Sequence, residues 1–86
     1  MKTIQVHDSL NGKFALPEGT DFELFGQLVG EISVPAGSTL FVFGMIKGTV
    51  ILSLGATLVL HGVINGMVQG KGNFIKHPNA VYNKQN

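Results

Sequence analysis

Phe25 to Leu40 reads FGQLVGEISVPAGSTL, and Phe43 to Leu58 reads FGMIKGTVILSLGATL, the same design displaced by 18 residues. Both segments hold glycine at their second, sixth and thirteenth positions, and both alternate aliphatic with polar or small residues between those glycines. Working outward, DSLNGKFALPEGTDF (Asp8 to Phe22) is a looser copy upstream, and HGVINGMV (His61 to Val68) opens another downstream. The period therefore runs through most of the chain. Ten of the 12 glycines fall on three ladders of this spacing: Gly12, Gly30, Gly48 and Gly66; Gly26, Gly44 and Gly62; Gly19, Gly37 and Gly55. A fixed period near 20 residues marks a repeat architecture and outranks any local secondary-structure signal.

The apolar residues keep the same period. Their columns are Ile4, Phe22, Leu40 and Leu58; Val6, Leu24, Val42 and Leu60; Leu10, Leu28, Ile46 and Ile64; Phe14, Ile32, Val50 and Val68; and Leu16, Val34 and Leu52, with Gly70 completing the last. Within a repeat they lie two apart, and β-branched and aliphatic types dominate, which is strand patterning. No segment carries a helical stripe. An 18-residue coil of three short strands, stacked on copies of itself about 4.8 Å apart, gives an all-β, single-domain parallel β-solenoid with even-numbered residues inward. Four coils are expected, near 4–21, 22–39, 40–57 and 58–74, with 75–86 as a C-terminal cap or partial fifth coil. The three glycine ladders serve as structural turns. Pro17-Glu18-Gly19 and Pro35-Ala36-Gly37 read as Pro-x-Gly corners.

These units, from Phe25 to Leu40, Phe43 to Leu58 and His61 to Val68, resemble the bactofilins, bacterial cytoskeletal proteins built on a right-handed β-helix. The resemblance covers about residues 4 to 70. It implies a right-handed solenoid and a polymer-forming, structural role. A left-handed hexapeptide solenoid, as in acyltransferases, is the competing fold, because 18 is three times six. Its special positions would recur every six residues, whereas the ladder glycines here step by seven, seven and four, from Gly30 to Gly37, Gly44 and Gly48.

Composition narrows the function classes. Charged residues are only 13% of the chain, the net charge is +1 and there is no arginine, which argues against a nucleic-acid binder. Without cysteine there is no thiol nucleophile and no thiolate-held metal. MKTIQVHDS lacks a signal-peptide apolar run, so the cytoplasm is the expected compartment. The 23 uncharged residues between Lys47 and Lys71 are long enough to span a bilayer, but they keep the repeat register and carry five glycines, so membrane spanning is not expected. His7 and His61 share an outward column with Phe25 and Phe43, three coils and roughly 14 Å apart, too far to hold one metal ion. No catalytic, cofactor-binding or metal-binding set emerges, and the protein reads as a non-enzyme.

The informative residues are the outward apolar ones. Phe25, Phe41, Phe43 and Val59 are expected to form one exposed cluster, with Met45, Val29 and Val63 around the corner, an interface for another copy or for a protein partner. The alternative is that the tail from Phe74 folds back over this patch. Charge is also segregated along the chain: residues 1 to 43 hold two lysines and five acids, and residues 44 to 86 hold four lysines and no acid. In a solenoid sequence order is axial order, so complementary ends favour head-to-tail stacking into an open filament. Residues 1 to 3 look too few to cap the first coil. If one residue is deleted at the last corner, Ile75, His77 and Val81 fall on the core columns of Leu58, Leu60 and Ile64.

Three functions follow in order. The first is a bactofilin-like self-associating protein that uses its coil ends and the phenylalanine face. The second is a small solenoid that blocks a protein partner, such as an immunity protein of a bacterial toxin system. The third is an acyltransferase-like enzyme with a subunit-interface site at His7 or His61.

Overall fold

A computed structural model describes residues 2–84, and in it the chain winds into a parallel β-solenoid of five turns. Strands β1 (Lys2–Val6), β3 (Thr20–Leu24), β5 (Thr39–Val42), β7 (Thr57–Leu60) and β9 (Asn73–Lys76) form one sheet in that order. Strands β2 (Ser9–Ala15), β4 (Gln27–Val34), β6 (Met45–Leu52), β8 (Val63–Gly70) and β10 (Val81–Lys84) form the other. Every ladder is parallel, and through β8 each pair holds the 18-residue register, as in Ile4 opposite Phe22 and Leu28 opposite Ile46. Each turn carries two strands rather than the expected three. The second and third expected strands run together as one long strand, which bends at a glycine of positive φ, +134° at Gly30 and +146° at Gly48.

The even-numbered residues face inward as their alternation requires. Leu24, Leu28, Val34, Leu40, Val42, Ile46, Val50, Leu58, Leu60 and Ile64 are wholly buried and fill the space between the sheets. Stacking of parallel coils demands close backbone approach at two corners. At Gly48 a Cβ would fall on the Gly30 carbonyl oxygen, and at Gly44 it would fall on the Gly26 carbonyl oxygen. The glycines there are thus fixed by the neighbouring coil as well as by local conformation. At the remaining corner Ser38 replaces missing ladder bonds. Its Oγ donates to the Pro17 carbonyl at 2.8 Å and accepts from the Thr20 amide at 3.3 Å, so a polar group at 1% exposure is fully paired.

The last turn departs from the expected register. Phe74, not Ile75, stands opposite Leu58, and Tyr82, not Val81, stands opposite Ile64. Lys71-Gly72 replaces the four residues Ser53 to Ala56 between the paired positions, a deletion of two, and the loop from His77 to Ala80 restores both. A change of two preserves the in–out alternation; a change of one would invert it. Ile75 and Val81 consequently face outward, and His77 lies beyond the end of β9. The tail does not cover the phenylalanines, since β9 and β10 extend both sheets.

Candidate interaction surface

The corner after each short strand is built the same way. Phe25 and Gly26 both donate to the Val6 carbonyl, at 2.8 and 3.2 Å, Phe43 and Gly44 to that of Leu24, and His61 and Gly62 to that of Val42. Two successive amides on one carbonyl turn the chain sharply and leave the first residue's side chain outside. Repetition at the coil spacing then stacks those side chains. His7 lies 4.7 Å from Phe25, Phe25 4.9 Å from Phe43, and Phe43 5.0 Å from His61, ring centroid to centroid, with the planes within 9° of parallel. His77 adds a fifth ring 4.9 Å from His61, tilted by 39°. The centroid steps equal the strand spacing, so the ladder is imposed by the backbone.

This geometry decides what the aromatic face can do. The inner rings are covered above and below, so they show solvent their edges, and Phe25 and Phe43 are each 40% exposed. Ring faces are free only at the two ends of the ladder. Between its ends the ladder is therefore an apolar ridge of ring edges. Phe41 lies 6.3 Å from Phe43 and is half-buried, as are Val59, Met45 and Val63. They belong to columns that continue to the two residues expected inward and found outward: Phe41, Val59 and Ile75 on one side of the corner, and Met45, Val63 and Val81 on the other. Ile75 is 55% exposed and widens the face toward the C-terminal end. Val29 is exposed but stands in a different column, between Asn11 and Lys47, apart from Met45 and Val63.

The two ends form the second candidate surface. Ile4, Val6, Leu10 and Phe14 are the first members of columns sealed further along, and all four are only half-buried. At the other end Phe74 and Tyr82 meet edge to face at 5.3 Å and 77°, and the Tyr82 hydroxyl accepts from the Val68 amide at 3.0 Å. Lys76 occupies the column of Leu60, and Lys84 stands opposite Gly66. Among the described residues, strands β1 and β2 at one end and β9 and β10 at the other have one unpaired edge each.

Elsewhere the surface carries little chemistry. Gln5 donates to Glu23 at 2.8 Å and Asn83 to Asn65 at 2.7 Å, polar pairs between adjacent turns. His7 and His61 are three ladder steps apart, and the Asn79 amide donates to His77 Nδ1 at 3.3 Å. Among the described residues no cavity opens, no three metal-ligating side chains converge, and no helix is long and apolar enough to cross a membrane. Comparison with protein-family models, with curated proteins and with solved structures finds no match to this chain.

Proposed function

We propose that this protein is a non-enzymatic, cytoplasmic assembly module of bactofilin-like type, which associates with copies of itself through the ends of its solenoid. The observation that carries this reading is the contrast along the core columns. Leu28 and Ile46 are at 0% exposure in mid-stack, while Leu10 at the head of the same column is half-buried, as Ile4, Val6 and Phe14 are in theirs. Burying those side chains against another copy recovers the hydrophobic free energy that inner turns already have, about 25 cal/mol per Å². The free strand edges add backbone hydrogen bonds to the same contact. Static light scattering with negative-stain imaging over a concentration series tests it. Particle mass should grow well beyond 9.2 kDa as concentration rises; a sharp monomer or dimer at the highest concentration removes the filament.

A second reading, a solenoid that binds and blocks a protein partner, is supported by the ridge of Phe25, Phe41 and Phe43. Apolar side chains of this size side by side on a surface mark contact sites. Phe43→Asp places a carboxylate in the middle of the ridge and should weaken such a complex at least a hundredfold, with the fold retained by circular dichroism. Co-purification in which that variant keeps every partner of the wild type ends this reading.

A further inference from the structure

Asn-Gly occurs twice in this chain, and the period sets both copies at one position of the repeat. Asn11-Gly12 lies in β2 and Asn65-Gly66 in β8, three coils apart in the column Asn11, Val29, Lys47 and Asn65. Such a pair can modify itself. The glycine amide nitrogen attacks the side-chain carbonyl carbon of asparagine. A C–N bond forms, the bond to the side-chain nitrogen breaks, and ammonia leaves a succinimide ring. Water then opens the ring at either carbonyl, giving aspartate or isoaspartate, so one water is consumed for each ammonia released. Glycine favours the attack because it has no side chain to obstruct the ring and turns freely about φ. An extended strand opposes it, because closing the ring requires rotation about the asparagine Cα–C bond.

The two copies differ in what restrains that rotation. In a parallel ladder alternate residues direct both backbone groups to the same neighbour. The Gln27 amide donates to the Asp8 carbonyl at 3.3 Å and the Leu16 amide to that of Ser33 at 3.0 Å, so the even residues of β2, Gly12 included, bond to β4 and the odd ones face away from it. Among the described residues nothing pairs with that outer edge. Separation of β2 from β4 therefore frees Asn11 and Gly12 together. Asn11 is exposed, and among the described residues its side chain makes no hydrogen bond. In contrast, β8 is held by β6 on one side and β10 on the other. The Val63 amide donates to the Gly44 carbonyl at 3.0 Å, so the odd residues of β8, Asn65 included, stay tied to β6 even when β10 lifts. The Asn65 side chain is tied too: Oδ1 accepts from Asn83 at 2.7 Å, and Nδ2 donates to Met45 Sδ at 3.8 Å. Edges open at lower free energy than the interior of a sheet.

We propose that Asn11-Gly12 is a site of spontaneous deamidation, from which Asn65-Gly66 is protected, and that the isoaspartate formed there unseats the second half of β2. Isoaspartate carries the main chain through the former side chain, one carbon longer, and sets a carboxylate beside it. Past that point Lys13, Phe14 and Ala15 lose their places opposite Glu31, Ile32 and Ser33. Phe14 heads a core column and packs against the buried cluster, so the change reaches the core from the first turn.

Ageing the full-length protein in neutral buffer, with and without urea, tests this. Cleavage after lysine puts the two sites on separate peptides, one ending at Lys13 and the other at Lys71, and chromatography with mass spectrometry resolves the asparagine, aspartate and isoaspartate forms of each. In urea the two sites should react at rates within about twofold of each other. In native buffer Asn11 should react at least tenfold faster than Asn65. Hydrogen exchange on the aged protein should show lost protection from Lys13 to Leu16. Asn11→Asp, which adds the charge without lengthening the main chain, should keep that protection, and Asn11→Gln, whose ring would be larger and closes far more slowly, should keep it through ageing. Equal native rates at the two sites, or an Asn11 that reacts in urea and stays intact in native buffer, overturn the site. Isoaspartate accumulating there with exchange protection unchanged refutes the unseating of β2.

Discussion

Gly48→Ala should cost about 3 kcal/mol or more and leave the protein largely unfolded at temperatures where the wild type is native. Two separate penalties meet at this position. The backbone stands at φ +146°, a conformation L side chains rarely adopt, worth roughly 1 to 3 kcal/mol. The added methyl also falls on the Gly30 carbonyl oxygen of the coil before it. Relief would require β4 and β6 to separate, and these strands share eight residues of ladder, Gln27 opposite Met45 through Val34 opposite Leu52. Overpacking against backbone costs about 1 to 3 kcal/mol on its own, against a total stability of about 5 to 15 kcal/mol for a small domain. Gly37→Ala is the control: φ there is +81°, but nothing lies within 4 Å of the new methyl, so only the conformational penalty applies. Urea midpoints should rank wild type, Gly37→Ala, Gly48→Ala; equal losses for the two variants would show that inter-coil contact adds nothing.

Ile46→Ala should destabilise the chain by about 2 to 5 kcal/mol, the cost of emptying a sealed core site. Ile46 is at 0% exposure, lies between Leu28 and Ile64 in its own column, and faces the buried residues of the opposite sheet. The cavity has rigid strands above and below, so collapse is limited. Leu10→Ala removes a comparable side chain from the head of the same column, where Leu10 is only half-buried. Its effect on the isolated chain should be smaller, since part of its apolar area is exposed beforehand. Thermal melts at low protein concentration measure both; under the end-to-end self-association proposed above, the gap should narrow at higher concentration, because Leu10 would then be covered.

The period of 18 made most of this fold readable from sequence, because a solenoid repeats its physics: one coil's glycines and inward residues predict the next. The even-numbered columns from Ile4 to Val68 and the stack of His7, Phe25, Phe43 and His61 follow from counting alone. The last turn did not yield to the same reading. Phe74 and Ile75 are adjacent apolar residues, as are Val81 and Tyr82, so hydrophobicity cannot tell which of each pair faces inward. The choice is made by corner length, and Lys71-Gly72 turns with two residues where the earlier corner uses four. His77 reaches the ladder only because the loop from His77 to Ala80 begins directly over His61. Degree of exposure was equally hidden: Phe41 and Phe43 stand on the same outer face, yet Phe41 is half-buried and Phe43 is exposed at 40%.

The shortened corner and lengthened loop of the fifth turn also bear on folding. In a chain of interchangeable repeats, a strand displaced by one whole coil finds the same alternation, the same glycines and nearly the same core volumes, so misalignment by 18 residues is cheap. The fifth turn removes that degeneracy. Its two-residue deletion and insertion fit one location, its aromatic pair Phe74 and Tyr82 fits one end, and the Tyr82 hydroxyl closes on the single amide of Val68. It acts as an index mark on an otherwise uniform scale, a coil that cannot change places with the others and thereby numbers those before it.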